Sequence, residues 1–202
     1  LQLLEILSQK MNFKLVKAYP SAEKIVEATD EKTTMVFTEV MTNPTLKIID
    51  LEYLKRNLPL EKTMLIVDNT FTTPALIKPL KYGAKLVLHS LTKYLAGHND
   101  AVGGAIIGEE EKIRDLWNWR SMLGTIQQPF EAYLILRGIK TFEIRFKEQC
   151  KNARSIAEFL SEHPKIRKVH YPGLTSSPYH ETAKRLFKKE LFGAVISFEI
   201  KG

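Results

Sequence analysis

The chain has 202 residues, of which 44% are hydrophobic, a formal net charge of +7 and a single cysteine, Cys150. This composition predicts a globular protein with its own core and excludes an internal disulfide or a cluster of metal-binding thiolates. No apolar run approaches the roughly 18 residues that a membrane span needs, and no basic-then-apolar signal pattern opens the chain, so we expect a cytoplasmic protein without membrane contact.

The positive charge is spread along the chain and mixed with acidic residues, as in residues 109–115. No basic stripe alternates with aromatic side chains that could stack on bases. We therefore expect solvated surface lysines and no nucleic-acid partner. A basic nucleic-acid-binding or scaffold domain remains the alternative from a different functional class.

Hydrophobic periodicity predicts alternating helices and strands from the N-terminus onward. In chain order we expect a helix over 1–10, a strand over 12–17, a helix over 22–28 with Ser21 as its N-cap, a strand over 34–37, a loop over 39–44 and a helix over 50–57 capped by Asp50.

The next elements are strands over 64–68, 86–88 and 103–108, with a helix beginning at Pro74. Helices over 109–120, 130–136 and 142–161 follow. The remainder is a strand over 168–171, a helix over 182–189 and a strand over 195–200. Strands that alternate with helices predict an α/β fold, with a mainly parallel sheet covered by helices on both faces and a partial α+β unit at the C-terminus. Cys150, with apolar neighbours at helical spacing, is expected to be buried.

Lys93 is the leading candidate for a reactive residue. It follows the apolar run of residues 86–88 at the point where a strand gives way to a loop, so it can be presented to a pocket. Desolvation or neighbouring cations there would lower its pKa and make it a nucleophile for a carbonyl. The hydroxyl groups of Ser90 and Thr92 beside it suit phosphate oxygens.

Asp68 ends another apolar run. If that run and residues 86–88 are parallel neighbours, Asp68 and Lys93 emerge at the same edge of the sheet, where ligands of open α/β sheets bind. A Schiff-base lysine, hydroxyl groups for a phosphate and a carboxylate for a pyridinium nitrogen are the parts that a pyridoxal phosphate site requires. The competing interpretations are a surface lysine and a turn-capping aspartate. The spacing of His89, His98 and Asp100 fits no zinc pattern, and we expect no metal site.

Several segments follow one another in the order and spacing of a known family. They are FTEVMTNP at 37–44, VDNTFTTP at 67–74, HSLTKYLAGHND at 89–100, VGG at 102–104, LRGIKT at 136–141 and HYPGL at 170–174. Together they make the chain similar to the Cys/Met-metabolism family of pyridoxal phosphate enzymes, over nearly its whole length.

The resemblance implies a fold type I large domain over residues 1–150 and the start of a smaller C-terminal domain over 151–202. It implies that Lys93 binds the cofactor covalently, that Asp68 pairs with the ring nitrogen and that Ser90 and Thr92 anchor the phosphate. Asn43 resembles the family's ligand to the ring hydroxyl, although an Asn-Pro pair also favours ordinary turns.

The implied activity is γ-replacement or γ-elimination on a sulfur-containing or activated homoserine-type amino acid, as in cystathionine γ-synthase or cystathionine γ-lyase. Methionine γ-lyase and O-acetylhomoserine sulfhydrylase are the alternatives. Ligands shared between subunits in the family imply a homo-oligomer, a dimer or a tetramer.

The sequence departs from the family pattern at three loops: GHND at 97–100 replaces GHSD, Gln128 precedes Pro129 where serine is common, and Ser177 stands where histidine is common in the loop 176–178. These changes leave the cofactor residues intact. The chain also begins after the family's ring-stacking tyrosine and ends before its substrate-binding arginine, so we do not expect turnover by these residues alone.

Overall fold

The computed structural model describes residues 2–188 and 190–202. Its helices are α1 (Gln2–Lys10), α2 (Ala22–Glu27), α3 (Leu51–Asn57), α4 (Thr73–Leu76), α5 (Glu110–Leu123), α6 (Pro129–Ile139), α7 (Phe142–Glu162) and α8 (His180–Leu186). Its strands are β1 (Met35–Glu39), β2 (Met64–Asp68), β3 (Leu86–Ser90), β4 (Gly104–Gly108), β5 (Ile166–His170) and β6 (Ser197–Ile200). A 3₁₀ turn covers Pro79–Tyr82, and a single π-type turn, here called the lysine turn, covers Leu91–Leu95.

The main sheet has the strand order β1-β2-β3-β4. The first three strands are parallel, and β4 runs antiparallel to β3. Each parallel pair is joined by a crossover that contains helix, as parallel strands require. This arrangement confirms the predicted α/β fold with a mainly parallel sheet. Because the carboxyl ends of β1, β2 and β3 lie side by side, the residues that end these strands meet at one edge of the sheet.

Burial along the strands reflects their position in the sheet. The middle of β2 is buried, as expected for a central parallel strand. On β1 the pattern alternates: Val36 and Thr38 are buried, whereas Met35 and Phe37 remain 51% and 48% exposed. One face of β1 therefore packs on the core while the other contributes apolar surface.

The sequence prediction of a strand over residues 12–17 is wrong. These residues have no regular secondary structure, and Phe13 and Val16 are largely exposed. A strand is stabilised by hydrogen bonds to a neighbour, and this segment pairs with none of the described strands. Local β propensity alone does not supply that partner.

Most predicted element boundaries agree with the structure to within a few residues. Ser21 caps α2 and Asp50 caps α3, as their positions indicated. The predicted helix over 182–189 instead begins at His180 and ends at Leu186; its predicted last residue, like the first residue of the helix over 1–10, lies outside the described residues.

Helix α7 crosses the predicted domain boundary at residues 150 and 151. Cys150 is buried, as predicted, on the same face as Phe146, Ala153 and Ala157. Beyond α7, β5 and β6 form an antiparallel pair. Apolar residues from both predicted domains belong to one core cluster, so the boundary remains a prediction. Within the described residues, no helix combines the length and apolarity needed to cross a membrane.

Candidate active site

Asp68 is the last residue of β2, and the loop that follows it is tied to the end of β3. In register, Asp68 lies opposite Glu39 of β1 on one side and Leu88 of β3 on the other. The Thr70 N–H donates to Asp68 Oδ1 at 2.8 Å, and Thr70 Oγ1 accepts from the Ser90 N–H at 2.9 Å. Two short hydrogen bonds thus hold the carboxylate beside the start of the lysine turn.

A cavity of about 160 Å³ opens at this edge of the sheet. It is lined by Glu39, Met41, Asn43, Asp68, Thr70, Phe71 and Ser90. Three of the five site residues predicted from sequence, Asn43, Asp68 and Ser90, therefore surround one space. Lys93 and Thr92 are not among the residues that line it.

Lys93 lies on the lysine turn, directly after β3. Its backbone dihedrals, φ −86° and ψ −117°, depart from helical values within that turn. The side chain is exposed. In the described part of the chain, its ammonium has no ion-pair or hydrogen-bond partner. The structure thus presents a free amine three positions after Ser90.

Thr92 is engaged with the protein backbone. The Gly103 N–H donates to Thr92 Oγ1 at 3.0 Å, and the same hydroxyl donates to the Gly103 carbonyl at 3.4 Å. The Leu91 N–H donates to that carbonyl as well, at 2.9 Å. Thr92 therefore links the lysine turn to the segment before β4. Of the two hydrogen bonds of its hydroxyl, the 3.4 Å bond to the Gly103 carbonyl is the longer and weaker.

Asn43 lies in the loop after β1 and reaches the cavity from the other side. The loop is anchored to the neighbouring strand by the Val40 N–H, which donates to the Asp68 carbonyl at 3.2 Å. The peptide bond between Asn43 and Pro44 is cis. The amide side chain thus lies on a turn, as the alternative interpretation held, and also lines the cavity.

Glu39 is a cavity residue to which the sequence analysis assigned no role. It keeps more than a third of its surface exposed, yet its carboxyl group lies beside the cavity. Partial burial and then the negative charge of Asp68 raise the pKa of Glu39, against a backbone hydrogen bond from Asn43 that lowers it. The signal that could have identified Glu39 is a carboxylate shortly after the predicted strand over 34–37, comparable to Asp68 at the end of the next predicted strand; in the structure Glu39 is the last residue of β1.

His89, on β3, is buried, with 6% of its surface exposed. Successive strand residues face opposite sides of the sheet, so His89 points away from the side of Ser90. Burial lowers the pKa of His89, and the charge of Asp68 opposes that effect. Among the described residues, no group of three or more His, Cys, Asp or Glu side chains is arranged to bind a metal ion.

Comparison with known proteins decides the family. Residues 2–202 match the family model described as Cys/Met metabolism PLP-dependent enzyme, where PLP is pyridoxal phosphate. The chain belongs to this Cys/Met-metabolism family. The resemblance inferred from the sequence motifs is thereby confirmed.

Relatives within the family carry several activities. The chain is 47% identical over 184 residues to L-methionine gamma-lyase from Fusobacterium nucleatum subsp. polymorphum, covering 89% of this chain and 46% of that protein. It is 44% identical over 171 residues to the chloroplastic cystathionine gamma-synthase 1 of Arabidopsis thaliana, covering 85% of this chain and 30% of that protein. The chain thus spans at most about half the length of these curated relatives.

A solved structure agrees with the fold of the whole chain. The cystathionine gamma synthase of Xanthomonas oryzae pv. oryzae, in complex with aminoacrylate and cysteine, superposes with a TM-score of 0.92 at 40% identity. The match covers 100% of this chain and 52% of that one. The α/β fold is therefore that of a Cys/Met-metabolism enzyme.

The cavity residues fit the cofactor named in the family description. Asp68 supplies a carboxylate that suits a pyridinium nitrogen, Ser90 a hydroxyl that suits a phosphate, and Asn43 an amide that suits a ring hydroxyl. The flat ring of Phe71 and the thioether of Met41 supply apolar lining. The amine of Lys93 lies on the adjoining turn.

Proposed function

We propose that this chain carries the lysine-bearing part of a PLP-dependent enzyme of sulfur amino-acid metabolism. The activity is γ-replacement or γ-elimination, of the cystathionine γ-synthase or cystathionine γ-lyase type. The observation that carries the proposal is the meeting of Asn43, Asp68 and Ser90 around one cavity, next to the turn that bears Lys93.

Lys93 is the catalytic residue in this proposal. Its amine would hold the cofactor aldehyde covalently and, once a substrate amine replaces it, would be free to move a proton at the substrate carbon. Asp68, held by the Thr70 N–H, would keep the ring nitrogen protonated, because a nearby carboxylate favours the charged form. Bound pyridoxal phosphate supplies an electron sink for the carbanion chemistry of amino acids.

Ser90, Thr92 and Asn43 would position the cofactor. Ser90 lines the cavity, and its hydroxyl would donate to the phosphate. Thr92 can join it by exchanging its long 3.4 Å bond to the Gly103 carbonyl for a charge-assisted one. Asn43 would donate from its amide to the ring hydroxyl from the opposite wall.

The wider setting of the protein is also proposed from family resemblance. We propose a cytoplasmic enzyme that acts on a small amino-acid substrate and works as a homodimer or homotetramer. Residues 1–150 would form the cofactor domain and residues 151–202 the start of the smaller domain. The match to the cystathionine gamma-synthase 1 of Arabidopsis thaliana supports the substrate class.

The test is a visible absorption spectrum of the protein as its gene encodes it, with added pyridoxal phosphate. We expect a yellow band that Lys93→Ala abolishes, and borohydride reduction should leave the label on the peptide that contains Lys93. Lys78→Ala, at an exposed lysine outside the cavity, is the matched control and should keep the band. A wild-type protein that forms no band, or a label on another lysine, would overturn the proposal.

Methionine γ-lyase is the second candidate, favoured by the 47% identity to the Fusobacterium enzyme. The two are separated by their products: methanethiol from methionine, or cystathionine from an activated homoserine and cysteine. Formation of homocysteine from O-acetylhomoserine and sulfide would instead identify a sulfhydrylase. Salt-dependent retention on nucleic acid by a protein that binds no pyridoxal phosphate would favour the basic binding domain.

A further inference from the structure

The guanidinium group of Arg145, on helix α7, lies against the end of the lysine turn. It donates to the carbonyl oxygens of Tyr94 at 3.2 Å, Leu95 at 3.3 Å and Ala96 at 3.4 Å. The same group donates to the carbonyl of Gly138, near the C-terminal end of α6, at 2.8 Å. One side chain thus joins the turn that bears Lys93 to the junction of α6 and α7.

The carbonyls that Arg145 binds need donors from outside the turn. The last carbonyls of a helical segment have no partner within it, and a cation at that end is favourable. Within the lysine turn, the Ala96 N–H satisfies the Leu91 carbonyl and the Gly97 N–H satisfies the Lys93 carbonyl, both at 2.9 Å. Of the carbonyls beyond Lys93, that of Ala96 also accepts from His98 Nδ1 at 2.7 Å. A planar guanidinium with several fixed N–H groups can serve the carbonyls of Tyr94, Leu95 and Ala96 together.

Two glycines allow this close approach. A Cβ atom on Gly138 would lie 2.1 Å from the Ala96 carbonyl oxygen. A Cβ atom on Gly97, where φ is +73°, would lie 1.8 Å from Arg145 Nη1. Both distances are far below van der Waals contact. A larger residue at Gly138 would push away the Ala96 backbone, and one at Gly97 would displace the guanidinium of Arg145.

Two further contacts hold Arg145 and the turn in place. Arg145 Nε donates to Thr141 Oγ1 at 3.0 Å, which orients the guanidinium from its own helix. The rings of Tyr94 and Phe146 meet edge to face, with centroids 5.2 Å apart. The residue directly after Lys93 is therefore fixed by its side chain and by its backbone carbonyl.

We propose that Arg145 is a positioning residue for Lys93, because its hydrogen bonds hold the turn that bears Lys93 in place next to the cavity. This inference rests on the proposed function, because it takes Lys93 as the residue that binds the cofactor. Arg145 touches no reacting atom. Its effect is orientation, and a displacement of about 1 Å at a reacting group can reduce the rate about 100-fold.

The test compares two substitutions. Arg145→Gln removes the positive charge and the planar set of guanidinium N–H groups, whereas Arg145→Lys keeps only the charge. Arg154→Gln is the matched control, since Arg154 lies on the same helix, is exposed and forms an ion pair with Glu158. The readouts are kcat and KM on the substrate identified above, and the rate at which borohydride fixes the cofactor on Lys93, each per folded molecule. We expect kcat and the fixation rate to fall about 10- to 100-fold in Arg145→Gln with a smaller change in KM.

Each outcome decides the proposal. We expect Arg145→Lys to recover only part of the loss, and Arg154→Gln to match the wild type. A folded Arg145→Gln with wild-type kcat and fixation rate would refute the positioning role while leaving the proposed function intact. If Arg145→Gln does not fold, the same readouts on Arg145→Lys decide: wild-type values overturn the proposal and reduced values support it. A wild-type protein that never forms the yellow band removes the proposed function and this inference together.

Discussion

Glu39 and Asp68 place two carboxyl groups side by side because they end neighbouring parallel strands in register. Partial burial and the charge of Asp68 raise the pKa of Glu39 above its ordinary value of 4.5. A raised pKa means that the folded state favours the protonated form. The contribution of protonated Glu39 to folding stability is fully present below about pH 4.5. It is lost as the pH rises through the pKa of Glu39 in the folded state.

Glu39→Gln should therefore stabilise the protein at pH 7 and leave it unchanged at pH 4, because glutamine keeps the shape and removes the charge. The measurement is the midpoint of urea unfolding at the two pH values. Glu61→Gln, at an exposed glutamate away from Asp68, should change neither midpoint. A lower midpoint for Glu39→Gln at both pH values would mean that Glu39 acts as a charged partner instead.

Among the helices, α3 shows how one capping residue serves both its own element and the tertiary structure. Asp50 Oδ1 accepts from the N–H groups of Glu52 at 3.0 Å and Tyr53 at 3.1 Å, and the carboxylate also pairs with Arg185 of α8. Burial alone would raise the pKa of Asp50, but the hydrogen bonds from Arg185 and Tyr53 outweigh it and hold that pKa below its ordinary value. The cap was evident from the sequence; the partner on α8 was not.

Asp50→Ala should lower the free energy of unfolding by about 1–2 kcal/mol, since it removes the cap and the ion pair together. Asp50→Asn keeps the cap and should lose about 1 kcal/mol or less at pH 7, because the pair is partly exposed. The lowered pKa of Asp50 contributes to folding stability above about pH 3.8. This contribution is lost as the pH falls through the pKa of Asp50 in the folded state. The difference in the free energy of unfolding between Asp50→Asn and the wild type, measured with urea, should become smaller as the pH falls. A difference that persists at pH 2 would contradict the charge assignment.

Across the whole molecule, the C-terminal segment shares its core with the main sheet. Tyr171 is 1% exposed; its hydroxyl donates to the Gly193 carbonyl at 3.0 Å and lies 3.4 Å from the Cys150 carbonyl. The Lys188 N–H donates to the Leu76 carbonyl at 3.0 Å. Since buried residues of both segments form one cluster, we expect them to unfold together.

Cys150 offers a probe of that cooperativity. Burial raises the pKa of its thiol to about 11, so little reactive thiolate forms at pH 8 in the folded state. Alkylation of Cys150, followed by peptide mapping, should begin only at the urea concentration where far-UV circular dichroism reports unfolding. Ser161→Cys, at an exposed position on the same helix, is the positive control and should react without urea. Alkylation of Cys150 well before the circular dichroism transition would show that the C-terminal segment opens independently.

The sequence by itself determined the elements whose signals are local. Apolar runs that end in polar residues identified β2 and β3, and Ser21 and Asp50 marked two helix starts. Motif order also identified the family, because those motifs retain their spacing along the chain. Local signals failed at residues 12–17, where a β-like pattern pairs with none of the described strands.

Only the tertiary structure decided which side chains meet. Glu39, Asp68 and Ser90 come together through strand register, and Arg145 reaches the lysine turn from 49 to 51 positions away. The exposure of Lys93 was likewise visible only in the structure. Residue composition and spacing determine secondary-structure propensity and hydrophobic periodicity, and both act over only a few residues. Burial, strand register and long-range hydrogen bonds depend on how distant segments pack. That packing cannot be read from the local patterns of a single sequence.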